Sequence, residues 1–168
     1  MNDTVLQASQ LLGHHLTQSR TTITTAESCT GGGIAKALTD VSGCSAYFGG
    51  GFVTYSEQSK QRFLGVSTDA LQQQGVVSET VAQAMAEGAR EAFPADYAIS
   101  VTGYAGPGGG TEDKPVGTVC FGFSSAQGNT LTYTCHFSGN REAIRQQSVT
   151  FALITALEIF FKIKLDTV

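Results

Sequence analysis

Ser28, Lys60 and Tyr55 have the side chains and the neighbours that acyl-transfer chemistry needs. In TAESCTGGG, Ser28 follows a β-branched run and precedes Thr30, Gly31, Gly32 and Gly33 at what reads as a helix start. Free N–H groups at such a start can hold an oxyanion or a phosphate, which suits a nucleophile. The same residues also fit a plain helix cap made by Ser28 or Thr30. Cys29 is a rival nucleophile if the helix start acidifies its thiol, and an inert residue in the commoner case of a buried cysteine. In YSEQSK, Tyr55 closes a strand and Lys60 follows five residues later in a first helical turn. A lysine acts as a base only when burial or a nearby cation lowers its pKa by roughly three units from about 10.4. Otherwise it is a solvated charge, as Tyr55 is otherwise a half-buried strand aromatic.

Two further segments could bind a substrate. TGYAGPGGGTEDKPVGTV contains Thr102, Gly103, Ala105, Gly106, Gly108, Gly109 and Gly110, and it is too long and glycine-rich for a simple turn. It is neither a Walker A loop, for want of the lysine, nor G-x-G-x-x-G. In FSGNREAIRQQS, Arg141 and Arg145 lie four apart at a helix start, on one face. Facing a pocket they would suit a phosphate; facing water they are solvated charges. The four cysteines include no C-x-x-C pair and no histidine stands at ligand spacing, so neither a metal site nor a disulfide framework is expected.

These residues require elements that end where they stand. Val5, Ser9, Leu12 and Leu16 recur at helical intervals, giving an amphipathic first helix. A strand is expected over 21–25, breaking at Ala26, with a helix after the glycines. A second strand is expected over 51–56, then a short helix ended by Gly65. Ser78 caps a helix with Val81, Met85, Ala89 and Phe93 on one stripe, and Pro94 just past its end. The segment 96–103 reads as a buried strand, and VGTVCFGFSS and LTYTCHFSG read as a late hairpin. Gly139 introduces the final helix. Strands alternating with helices imply an α/β fold with a mixed sheet covered on both faces, whose ligands bind at the carboxyl ends of strands.

The chain has 168 residues, 41% hydrophobic and 14% charged, enough for one compact domain over 1–168. Ten basic residues against 14 acidic ones are scattered along it, which argues against nucleic acid as a partner. The opening MNDTVLQASQ has no cationic start followed by an apolar run, so a cytoplasmic protein without a secretory signal is expected. The apolar stretch 149–161 contains Glu158 and is too short for a bilayer; it reads as a buried or interface helix.

TAESCTGGG, the F-x-G-G-x-x-x-Y-x-x-x-x-K pattern from Phe48 to Lys60, VSE before the core helix, TGYAGPGGGTEDKPVGTV and GNREAIR occur in an order that resembles the CinA C-terminal domain family of competence/damage-inducible proteins. The resemblance runs from about residue 5 to about residue 160. It is to the stand-alone members, without the extra N-terminal domain of longer relatives. It implies a three-layer α/β/α fold with a mixed, mostly parallel sheet of about five strands. It also implies hydrolysis of the carboxamide of nicotinamide mononucleotide to nicotinate mononucleotide and ammonia, in pyridine nucleotide salvage.

The resemblance makes Ser28 the nucleophile, Lys60 its general base and Tyr55 a positioning or relay group. The backbone from Thr30 to Gly33 becomes the oxyanion site. Thr102, Gly103 and the loop from Ala105 to Gly110 shape the nucleotide pocket, with Arg141 and Arg145 as phosphate candidates. No cofactor and no membrane are implied, and the apolar final helix with the resemblance suggests a homodimer or larger homo-oligomer. Tyr104 stands where the family pattern has an aliphatic residue, and Gly49 and Gly50 are expected to leave the site wall without large side chains. The alternatives are a catalytically silent paralogue that binds pyridine nucleotides, or a hydrolase of another amide or nucleotide.

Overall fold

The computed structural model describes residues 2–166. A five-stranded mixed sheet lies between two layers of helices. Its strands are β1 (Ile23–Glu27), β2 (Phe52–Val53), β3 (Tyr97–Gly103), β4 (Thr118–Ser125) and β5 (Leu131–His136), in the order β2-β1-β3-β4-β5. β1 pairs in parallel with β2 and β3, while β4 is antiparallel to β3 and to β5. Only β4 therefore runs against the rest. The carboxyl ends of four strands and the loop entering β4 share one edge of the sheet.

One face carries α1 (Asp3–Ser19), α2 (Gly33–Thr39) and α6 (Arg141–Phe161), over a core that includes Leu12, Leu16, Ile34, Phe121 and Leu153. The other carries α3 (Glu57–Leu64), α4 (Thr68–Gln74) and α5 (Glu79–Ala92), packed through Leu64, Leu71, Val81 and Met85. Each helix starts where a polar side chain or a glycine stops the preceding segment. The Asn2 side chain accepts from the Val5 N–H, Ser56 forms a capping box with Ser59, and Ser78 accepts from Val81 N–H. Gly88 lets α5 approach the backbone of α3, because a Cβ there would collide with the Leu64 carbonyl. Among the described residues, no helix is long and apolar enough to cross a membrane.

Several boundaries differ from expectation. β1 is two residues later than 21–25, because Ala26 and the carboxylate-bearing Glu27 are both buried members of it. β2 keeps only two residues of the expected 51–56: it is an edge strand, and past Val53 the Thr54 carbonyl bonds to a lysine instead of a strand. Phe93 caps α5 and is 41% exposed, so it leaves the buried stripe of Val81, Met85 and Ala89. The unexpected α4 is capped by Ser67 and buries only Leu71. Gly49 and Gly50 lie beside the start of β1, where Phe48 bridges Ile23 and the Gly50 carbonyl accepts from Thr24. They belong to the end of β1 opposite Ser28.

Candidate active site

All the segments singled out for chemistry reach the shared sheet edge. Ser28 directly follows β1 and its N–H donates to the Val101 carbonyl of β3 at 3.0 Å. Lys60 sits in the first turn of α3. Its Nζ donates to Ser28 Oγ at 2.9 Å and to the Thr54 carbonyl at 2.6 Å. Lys60 is 1% exposed, and burial lowers its pKa from 10.5 to about 8. Its deprotonated form is therefore populated near neutral pH, and a neutral amine beside a serine hydroxyl can take that proton.

The neighbouring thiol is a poor competitor. Cys29 is 4% exposed and burial pushes its pKa up to about 12. The helix start does not acidify this thiol, because desolvation outweighs the cations nearby.

The turn from Ser28 into α2 is held by Glu27, which the sequence reading passed over. Its fully buried carboxylate accepts from Thr30 Oγ1 at 2.6 Å, Ile34 N–H at 2.8 Å and Ala35 N–H at 3.0 Å. Neither Ser28 nor Thr30 caps α2: Gly32 occupies the cap position and Glu27 supplies the acceptors. Gly31 and Gly32 have φ of 60° and 100°, a left-handed pair that residues with a Cβ adopt at a cost. Gly31 N–H donates to the Ser28 carbonyl and Gly33 N–H to the Thr30 carbonyl, each at 3.0 Å. Within Thr30 to Gly33, this leaves the N–H groups of Thr30 and Gly32 without a protein acceptor among the described residues.

Of the two arginines at the start of α6, one holds this turn and the other the glycine-rich loop. Arg145 donates to the Cys29 carbonyl at 3.1 Å and the Thr30 carbonyl at 3.3 Å. Arg141 donates to the Gly106 carbonyl and to the Tyr55 hydroxyl, both at 2.7 Å. Tyr55 is 57% exposed and its hydroxyl hydrogen-bonds to neither Ser28 nor Lys60; Arg141 is its partner.

In the loop, Ala105 and Gly106 are buried while Gly108 and Gly109 are exposed and Gly110 half-buried. Lys114 fastens it by donating to the carbonyls of Gln74 at 2.8 Å and Val77 at 2.6 Å. Gly103 ends β3 against Val119. Thr102 commits its hydroxyl to the Val76 carbonyl at 2.9 Å, in the same 74–77 segment that Lys114 holds. Thr30, Gly33 and Arg145 also border a cavity of about 350 Å³ between α1, α2 and α6; Ser28 and Lys60 do not line it. His14 and His15 lie on α1 and His136 ends β5 beside Thr118, so no histidine meets Ser28.

The model of the CinA C-terminal domain matches residues 6–160. A protein of Shigella flexneri named nicotinamide-nucleotide amidohydrolase PncC is 49% identical over 158 residues, covering 94% of this chain and 96% of that one. One of the same name from Enterobacter agglomerans is 56% identical over 140 residues, covering 83% and 85%. The crystal structure of the competence/damage inducible protein CihA from Agrobacterium tumefaciens is similar with a TM-score of 0.93 at 38% identity, covering 95% of this chain and 98% of that one. The CinA superfamily protein ECK1530/EC0983 from Escherichia coli gives a TM-score of 0.89 at 39% identity, covering 95% and 93%.

Proposed function

The chain belongs to the CinA C-terminal domain family, and from that premise we propose that it is an amidohydrolase that converts nicotinamide mononucleotide to nicotinate mononucleotide and ammonia. The observation that carries the mechanism is the 2.9 Å contact between Ser28 Oγ and the buried Lys60 Nζ. Neutral Lys60 takes the Ser28 proton as Oγ attacks the amide carbon. The oxyanion forms against the free N–H groups of Thr30 and Gly32. Protonated Lys60 then gives its proton to the departing nitrogen, the C–N bond breaks and ammonia leaves. The ester on Ser28 is hydrolysed by a water that Lys60 deprotonates, and Ser28 recovers its proton as nicotinate mononucleotide departs.

Arg141, exposed and with N–H groups beyond the two already engaged, is the better phosphate ligand. Arg145 serves the turn. Tyr55 is a positioning group at the mouth of the site, and the 104–117 loop covers the nucleotide. Residues 1–168 act as one cytoplasmic amidase domain in pyridine nucleotide salvage, as a homodimer or larger homo-oligomer, with no metal or other cofactor in the reaction. The hydrogen-bonded Ser28 and Lys60 favour this reading over a silent nucleotide-binding paralogue.

The test is ammonia release from nicotinamide mononucleotide beside free nicotinamide, the dinucleotide, asparagine and glutamine. The mononucleotide should be the preferred substrate, because binding its phosphate positions the amide. Equal turnover of the free base would contradict this. Exhaustive chelation should leave the rate unchanged; a loss restored by a divalent ion would reject the mechanism.

A further inference from the structure

Glu27 links the two halves of the site. Its carbonyl accepts from Thr54 N–H at 2.8 Å, and Thr54 in turn offers its own carbonyl to Lys60. Its carboxylate holds Thr30 and the first free amides of α2. A fully buried carboxylate is costly to keep ionised unless hydrogen bonds compensate, and three donors at 2.6 to 3.0 Å converge on this one. Arg145 grips the same turn from outside through carbonyls. Ser28, Thr30 and Gly32 thus stand between two anchors. The Ile34 and Ala35 amides, which a substrate anion would otherwise seek, are taken by Glu27.

Resting on the amidase reading, we propose that Glu27 is a positioning residue whose carboxylate sets the Ser28–Gly33 turn for transition-state stabilisation, without touching substrate or exchanging protons with Lys60. Glutamine keeps one acceptor oxygen but turns an NH₂ group toward the donors, so it cannot hold all three. Removing the Thr30 hydroxyl subtracts a single donor.

The experiment compares wild type, Glu27→Gln, Thr30→Val and the double variant by steady-state kinetics across pH, with amide hydrogen exchange of each unliganded protein. Glu27→Gln should lose about 100-fold in kcat with KM changed less than about threefold, as misplacement near reacting atoms does. The midpoint of its pH–rate limb should stay at the wild-type value. Thr30→Val should lose about tenfold, and the double variant less than the product of the two losses, because both act through one network. Exchange at Ile34 and Ala35 should quicken while the amides of β3 keep their protection.

A Glu27→Gln enzyme within about threefold of wild-type kcat, a moved pH midpoint, or unchanged exchange at those amides would overturn the proposal. If Glu27→Gln does not yield folded protein, Thr30→Val decides: slower turnover with faster exchange supports the role, and wild-type values of both reject it. A wild-type protein that releases no ammonia would defeat the amidase reading, while the exchange data would still judge whether Glu27 holds the turn.

Discussion

Two adjacent residues, Ser28 and Cys29, compete for the role of nucleophile, and their surroundings separate them. Ser28 Oγ meets an amine that burial holds at a pKa of about 8, whereas burial keeps the Cys29 thiol protonated up to about 12. Ser28→Ala should therefore abolish turnover, while Cys29→Ala or treatment with an alkylating reagent should leave most of it. An enzyme killed by alkylation but active as Ser28→Ala would reverse the assignment. Nothing in the spacing of Ser28 and Lys60 reveals their contact, since they stand 32 positions apart with α2 and β2 between them. Only the family resemblance paired them beforehand. Glu27 stayed hidden for a different reason: a charged residue at the end of a strand normally marks its exit into water, and here it is buried because α2 supplies its donors.

The strand, turn and helix units were readable because hydrophobic periodicity and capping residues agreed along each of them. The helix with Val81, Met85 and Ala89 and the strand 97–103 are of this kind. The short α4 was not, as TDALQQQ buries a single leucine and carries no stripe. The truncation of β2 was equally invisible, because it follows from edge position and the Lys60 contact. The composition of the glycine-rich loop does not show what fixes it: Lys114 ties it to the carbonyls of Gln74 and Val77 before α5. Lys114→Met should release that tie and raise KM for the mononucleotide by about tenfold with a smaller change in kcat, because substrate binding must then order the loop. Steady-state kinetics would check it, and an unchanged KM would show that the loop does not contribute to binding.

Across the whole molecule, the buried lysine should cost stability in its charged form and not in the neutral form that catalysis needs. Its folded pKa lies below its unfolded value, so the charged side chain disfavours folding most below about pH 8, and the penalty fades as pH rises from about 8 toward 10.5. Lys60→Met should thus melt several degrees above wild type at pH 7, with the difference shrinking through that window. A constant difference would show that packing, not charge, sets it. Assembly is testable in the same preparations: Leu131 and Tyr133 on the edge strand β5 are exposed, and α6 leaves Phe160 and Phe161 half-buried. Sedimentation at micromolar concentration should give a dimer or larger species, and monomer alone would contradict a homo-oligomer. Turnover depends most on Lys60 acting as a base, so the decisive measurement is the pH dependence of ammonia release from nicotinamide mononucleotide by wild type, Lys60→Ala and Lys60→Arg. Wild-type kcat should rise with pH to a midpoint near 8, and both variants should lose that limb and nearly all turnover, since arginine keeps the charge but cannot deprotonate. A Lys60→Arg enzyme with near-full turnover and the same limb would contradict the account and reduce Lys60 to an electrostatic anchor.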